Sequence, residues 1–175
     1  EVDVYVPGGR WYDYYSGRTI YNNDTGAVLT IPAPLDTIPL LLRGGYIIPT
    51  QQPGFTTTVS RTKPADLLVS LDNEGRAVGY LYWDDGDSKD HKDNVYSLLK
   101  FEVASRRLTI KILHWQYYGL TSLNKVKILG LNSEVVQVTY NGILVDFRFQ
   151  NEGNNNLLTV NNLNANLTQR FELEW

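Results

Sequence analysis

The chain has 175 residues, 42% hydrophobic and 20% charged, which fits an ordinary globular protein of one domain or two small ones. Its net charge of −3, with Lys and Arg scattered rather than clustered, offers no electrostatic footprint for nucleic acid or an anionic membrane. Cysteine is absent, so a packed core rather than disulfides must hold the fold, and the longest apolar stretch, Ile38 to Leu42, falls far short of the ~20 residues of a membrane-spanning helix. The start at Glu1, without an initiator Met or a signal-peptide pattern, reads as that of a fragment.

Alternation with period two dominates from the first residues, where Val2, Val4 and Val6 interleave with Asp3 and Tyr5. Pro7-Gly8-Gly9 then marks a turn. The run Ile31–Pro49 is apolar and Pro-rich, broken by Gly44-Gly45, and a further turn is expected at Pro53-Gly54. A hairpin is predicted from Leu67–Leu71 through Asp72-Asn73-Glu74-Gly75 to Ala77–Trp83. The polar segment Asp84–Asp93 has no apolar residue and suits a boundary between two β units, placed near residue 90. Beyond it, Leu108, Ile110 and Ile112 alternate with Thr109 and Lys111.

The strongest local signal is Asn141-Gly142, the preferred pair for a two-residue type I′ turn, because both positions must accept positive φ. That turn sets Tyr140 opposite Ile143, Val138 opposite Val145 and Val136 opposite Phe147, all six on one face. The Asn-rich tail Asn151–Asn166 reads as turns around a short strand, Leu157–Val160. Phe171, Leu173 and Trp175 close the chain as a final alternating strand. The pattern predicts an all-β fold of two small antiparallel β-sandwich domains in tandem, 1–90 and 91–175. The 12 Tyr, 4 Trp and 5 Phe are explained first by sheet packing.

Candidate chemistry is sparse. A nucleophilic triad needs Ser or Cys with a base and an orienting acid, and the only histidines are His91, in the charged segment, and His114, at a strand end beside Trp115. No catalytic residue is expected, and no cofactor or metal site. Asp84, Asp85, Asp87, Asp90 and Asp93 could offer oxygen to Ca²⁺, but Gly86 comes too early for an EF-hand loop and no bidentate Glu follows. Asp84 and Asp85 are adjacent on a strand end, so they point to opposite faces and cannot flank one glycosidic bond. Asn23-Asp24-Thr25 and Asn166-Leu167-Thr168 are N-glycosylation sequons in turn-like polar segments, which makes Asn23 and Asn166 candidate sites and favours a secretory compartment: extracellular, brush border or lysosomal lumen.

Several longer words are more specific. Val4-Tyr5-Val6-Pro7-Gly8-Gly9-Arg10-Trp11-Tyr12-Asp13-Tyr14-Tyr15-Ser16-Gly17 resembles the segment after the catalytic barrel in animal α-glucosidases of glycoside hydrolase family 31. Pro32–Ile38, Leu42–Pro49, Thr56–Arg61 and Gly79–Ser88 agree in order and spacing, while Lys125–Leu131 and Phe171–Trp175 are similar to the family's last domain. The resemblance implies that residues 1–90 are the proximal and 91–175 the distal C-terminal β domain. It implies that both catalytic aspartates lie in a preceding (β/α)₈ barrel of the same parent enzyme, a retaining exo-α-glucosidase acting on α-linked gluco-oligosaccharides. The matching motifs read as structural: Gly44-Gly45 allows a backbone turn, and Trp11, Tyr12, Tyr46 and Trp83 are core or interface aromatics.

Two other readings compete with a supporting role beneath the barrel. One is a carbohydrate-binding module, with Trp115, Tyr117 and Tyr118 as a stacking platform. The other is a plain structural sandwich. Neither nucleic acid nor a membrane segment enters any of the three.

Overall fold

The structure is a computed structural model that describes residues 1–87, 95–120, 122–152 and 155–175. The strands in order are β1 (Val2–Val6), β2 (Gly9–Asp13), β3 (Thr19–Asn23), β4 (Ala27–Ile31), β5 (Leu41–Arg43) and β6 (Tyr46–Gln51). One helical turn, α1 (Thr57–Arg61), precedes β7 (Ala65–Ser70) and β8 (Ala77–Trp83). Then follow β9 (Ser97–Ala104), β10 (Arg107–Trp115), β11 (Ser122–Leu129), β12 (Thr139–Tyr140) and β13 (Ile143–Leu144). The last four are β14 (Arg148–Glu152), β15 (Asn155–Val160), β16 (Ala165–Asn166) and β17 (Glu172–Glu174). The protein is all-β apart from α1, whose first turn is capped by Thr56 Oγ1 accepting from Val59 N at 3.2 Å.

Twelve strands form one sheet in the order β13-β12-β17-β10-β9-β8-β6-β7-β11-β15-β14, with β16 on β11. Antiparallel pairs dominate, but β7–β11 and β6–β8 are parallel, a distinction that alternation cannot make. The sheet wraps around one core that includes Leu67, Val69, Phe101, Val103, Leu108, Ile128, Leu158 and Leu173. β7 is buried at all six positions because its other face is covered too. There Leu68 and Leu129 meet Tyr12 and Leu42 of the separate three-stranded sheet β3-β2-β5. The polar members of β7 are satisfied: Asp66 pairs with Lys125 Nζ at 3.2 Å, and Ser70 Oγ donates to Arg43 O at 2.7 Å. β1 and β4 form a separate two-stranded antiparallel sheet, with β2 and β3 between them in the chain.

One node locks the small sheet onto the large one. Tyr12 is fully buried and its hydroxyl donates to Leu71 O at 2.6 Å, while Arg10 Nη1 donates to Gly130 O at 2.7 Å. The guanidinium carbon of Arg10 lies 5.2 Å from the Tyr12 ring centre. Burial pushes the Tyr12 phenol well above its ordinary pKa, and nearby Arg10 only partly opposes this. Gly130 makes the node possible. Its φ is +82°, and a Cβ there would fall inside the Tyr12 hydroxyl and 2.9 Å from Arg10 Cζ.

Two expectations from the sequence need correction. The Asp72–Gly75 turn is present, with Gly75 N donating to Asp72 O at 3.2 Å, but it does not join a hairpin. β6 lies between β7 and β8, antiparallel to the first and parallel to the second. Gly79 lets β6 in, since a Cβ there would fall within the Ile47 carbonyl. The Asn141-Gly142 hairpin has the expected turn, with φ of 50° and 82°, and Tyr140 pairs Ile143. Val145 N still donates to Val138 O at 3.0 Å, but regular pairing then stops. Val135 and Val138 go into the core while Val136 points to solvent, so the six residues do not share one face. Core burial of both valines overrides the two-residue period.

Along β10 the expected alternation runs from buried Leu108 to Ile110 but not to Ile112, which is exposed where the pairing with β9 shifts register. Leu173 on β17 and Phe171 just ahead of it are buried, and β15 includes the expected Leu157–Val160. Asn162 and Asn164 take positive φ in the tail, as Asn-rich turns require. The boundary placed near residue 90 lies outside the described residues. The strands on either side of it, β8 and β9, pair with each other from Ala77↔Val103 to Trp83↔Ser97.

Candidate functional site

Among the described residues, no group of three His, Cys, Asp or Glu side chains comes together to hold a metal ion. Asp84 and Asp85 serve the turn that leaves β8: Asp84 Oδ1 accepts from Gly86 N at 2.9 Å and Asp85 Oδ1 from Asp87 N at 3.1 Å. Arg61 clamps this corner. Its guanidinium sits 4.2 Å from the Trp83 ring centre and donates to Asp84 O. His91, Asp90 and Asp93 lie outside the described residues. His114 stacks on Tyr96 with ring centres 4.1 Å apart, and Tyr96 stacks on Tyr82 at 5.1 Å. That stack links β10 to β8 through Tyr96, the residue just ahead of β9, a packing use of the imidazole.

The three aromatics singled out in the sequence are neighbours with different surroundings. Trp115 packs against the main core, Tyr117 is half-buried, and Tyr118 is 69% exposed. The Trp115 and Tyr118 rings meet edge to face, 6.5 Å apart at 76°, so they do not form one flat platform. Ser97 Oγ donates to Tyr117 O at 2.7 Å and holds the loop in place. Of the two sequons, Asn166 sits on β16 with Thr168 Oγ1 and Thr168 N at 2.7 Å and 2.8 Å from its Oδ1. Asn23 ends β3, where Thr25 N reaches its Oδ1 only at 3.5 Å.

The most extensive candidate surface is apolar. On the outer face of β6 and β8, Tyr46, Ile48, Tyr80 and Tyr82 are all exposed, by 38% at the least. Tyr46, Ile48 and Tyr80 line an open groove of about 470 Å³ together with Leu41, Arg43 and Val78. On the connection before β5, Leu35 and Ile38 stand out in solvent, and so does Phe55 ahead of α1. The run Ile31–Pro49 announces part of this surface in the sequence. Phe55 and the β8 tyrosines are not announced, although an aromatic directly after Pro53-Gly54 is a signal for an exposed turn tip. A chain with one well-filled core has no use of its own for so many solvated large apolar side chains on one sheet face.

Residues 1–48 match the family model described as Glycosyl hydrolase family 31 C-terminal domain, which sets the class: an all-β C-terminal region of a glycoside hydrolase. Intestinal sucrase-isomaltase of Oryctolagus cuniculus is 39% identical over 99% of the chain, and lysosomal alpha-glucosidase of Rattus norvegicus is 35% identical over all of it. The chain belongs to glycoside hydrolase family 31 and corresponds to the C-terminal part of its α-glucosidases. It spans 10% of the rabbit protein's length and 20% of the rat protein's. The fold agrees with the crystal structure of the Tris-bound glucosidase II alpha subunit at a TM-score of 0.85. That likeness, at 22% identity, covers 99% of this chain and 21% of the other.

Proposed function

We propose that the chain is the non-catalytic C-terminal support of a retaining exo-α-glucosidase. The observation that carries this reading is the exposed apolar face of β6 and β8, which is the kind of surface a second domain covers. The occupant is the (β/α)₈ barrel of the same polypeptide, consistent with relatives five to ten times longer than the chain. The barrel holds both carboxylates of a double-displacement mechanism on maltose-like α-linked gluco-oligosaccharides, and no cofactor is needed. The proximal unit, 1–90, and the distal unit, 91–175, act as one rigid body under that barrel. The pairing of β7 with β11 and of β8 with β9 supports this. The polypeptide follows the secretory route, as the names of its intestinal and lysosomal relatives suggest. No helix among the described residues is long and apolar enough to cross a membrane.

The test uses the native polypeptide, captured with an antibody to this chain. A species much larger than 19.9 kDa that hydrolyses maltose is the expected result. Tyr46→Ser with Tyr80→Ser in that polypeptide should lower both its melting temperature and its maltase activity. Capture of a 19.9 kDa species without activity would sink the proposal. A carbohydrate-binding role is the second reading, favoured by the exposure of Tyr118 beside Trp115. It requires saturable maltodextrin binding that is lost on Trp115→Ala.

A further inference from the structure

We propose that Asn166, rather than Asn23, is the N-glycosylated asparagine of this chain. The inference rests on the secretory route proposed above, but not on the α-glucosidase activity. Three observations converge on Asn166. Its neighbours Ala165 and Leu167 are each 1% exposed, so the backbone is anchored on both sides while the Asn side chain is turned out to solvent. Its Cα pairs Ser122 on β11, which fixes that outward direction. Finally, Thr168 donates to Asn166 Oδ1 twice, through its hydroxyl at 2.7 Å and its backbone N–H at 2.8 Å.

That pair of hydrogen bonds closes the sequon into a local turn with the acceptor side chain presented to solvent. Both bonds span only two residues, so the turn can form in the nascent chain before the sheet exists. Donation to Oδ1 polarises the amide, and among the described residues Nδ2 donates to no group. Nδ2 then attacks the anomeric carbon of a lipid-pyrophosphate-linked oligosaccharide. The N–C bond forms, the bond from carbon to the pyrophosphate oxygen breaks, the amide loses one proton, and the lipid pyrophosphate leaves. At Asn23 the Thr25 hydroxyl makes no such bond, and the Asp24 carbonyl packs so close to Gly8 that a Cβ at residue 8 would overlap it. A glycan on Asn166 also has a structural use. β16 pairs β11 at only two positions and has no second strand partner among the described residues, and a bulky solvated sugar beside it blocks strand addition from another chain.

The experiment expresses the polypeptide that carries this chain through the secretory pathway of a eukaryotic host. Peptide N-glycosidase F converts an occupied Asn to Asp, and peptide mapping by mass spectrometry reads which position changed. The expected result is Asp at position 166 in the treated wild type. Asn166→Gln and Thr168→Ala should each gain the mobility of one lost glycan, while Thr168→Ser keeps it. Recovery of the Asn166 peptide unmodified, or occupancy at Asn23 alone, overturns the proposal. The wild-type map stands even if a variant fails to be secreted. A glycosylated polypeptide without maltase activity would refute the enzymatic reading and leave this one intact.

Discussion

Gly130→Ala tests whether the Arg10–Tyr12 node holds the small sheet against the large one. The substitution has two costs. An alanine at φ of +82° carries strain of about 1–2 kcal/mol. Its Cβ would also occupy the space of the Tyr12 hydroxyl and come within 2.8 Å of Tyr12 Cζ, an overpacking of about 1–3 kcal/mol. The expected loss is therefore about 2–5 kcal/mol. Tyr12→Phe alone removes one buried hydrogen bond to Leu71 O, 2.6 Å long, for about 1–2 kcal/mol. In the double variant the hydroxyl that the new Cβ strikes is gone, although Cζ and Arg10 remain near. The two losses should then sum to about 1 kcal/mol less than the singles added together. Urea unfolding of residues 1–175, followed by tryptophan fluorescence, measures all four members of the cycle. Losses that add within ~0.5 kcal/mol would show that residues 12 and 130 do not share space, and the reasoning about the node would fall.

The same tyrosine sets a pH dependence. Its pKa is raised by burial above the ordinary 10.0, so the folded state keeps a proton that the unfolded state releases in alkali. Stability from this group is complete below pH 10 and falls as the pH climbs past it, by at most about 1.4 kcal/mol per unit. Tyr12→Phe should remove that part of the alkaline slope, and an unchanged slope in urea unfolding above pH 10 refutes the assignment. Lys125→Met should cost about 2–3 kcal/mol, because it leaves Asp66, 4% exposed, as a buried charge whose cation lay 3.2 Å away. Asp66→Asn together with Lys125→Met should recover part of that loss in the same urea assay. A double variant less stable than Lys125→Met would contradict this account.

Much of the fold is legible wherever the physical cause is local. Asn141-Gly142 specifies its own turn, Asn162 and Asn164 take the left-handed conformation their side chains tolerate, and Phe171 and Leu173 alternate into the core. The failures come where a distant strand decides the outcome. Asp72–Gly75 turns as its residues dictate, yet the strand between β7 and β8 is β6, supplied from earlier in the chain. A signal for that insertion does exist. Gly79 interrupts an otherwise β-rich run, and glycine within a strand marks close approach of another backbone, here the Ile47 carbonyl. Val136 shows the converse, a residue of high β propensity sent to solvent because Val135 and Val138 reach the core.

The candidate surface was harder to read, because composition cannot separate an apolar residue covered by its own chain from one awaiting another domain. Leu68 and Ile48 make the point, since the two are register partners on adjacent strands. Leu68 is buried because Tyr12 and Leu42 of the small sheet lie over it, held there by the bonds of Arg10 and Tyr12 to Gly130 and Leu71. Ile48 is exposed because the small sheet stops short of the groove that it shares with Tyr46 and Tyr80. The small sheet thus sets where the chain's own cover ends and where a partner's must begin. It follows that variants of the Arg10–Tyr12 node act on both. By loosening the small sheet they move the edge of the groove, lined by Leu41, Leu42 and Arg43 of β5, so a change at a fully buried tyrosine reaches the face proposed to carry the barrel.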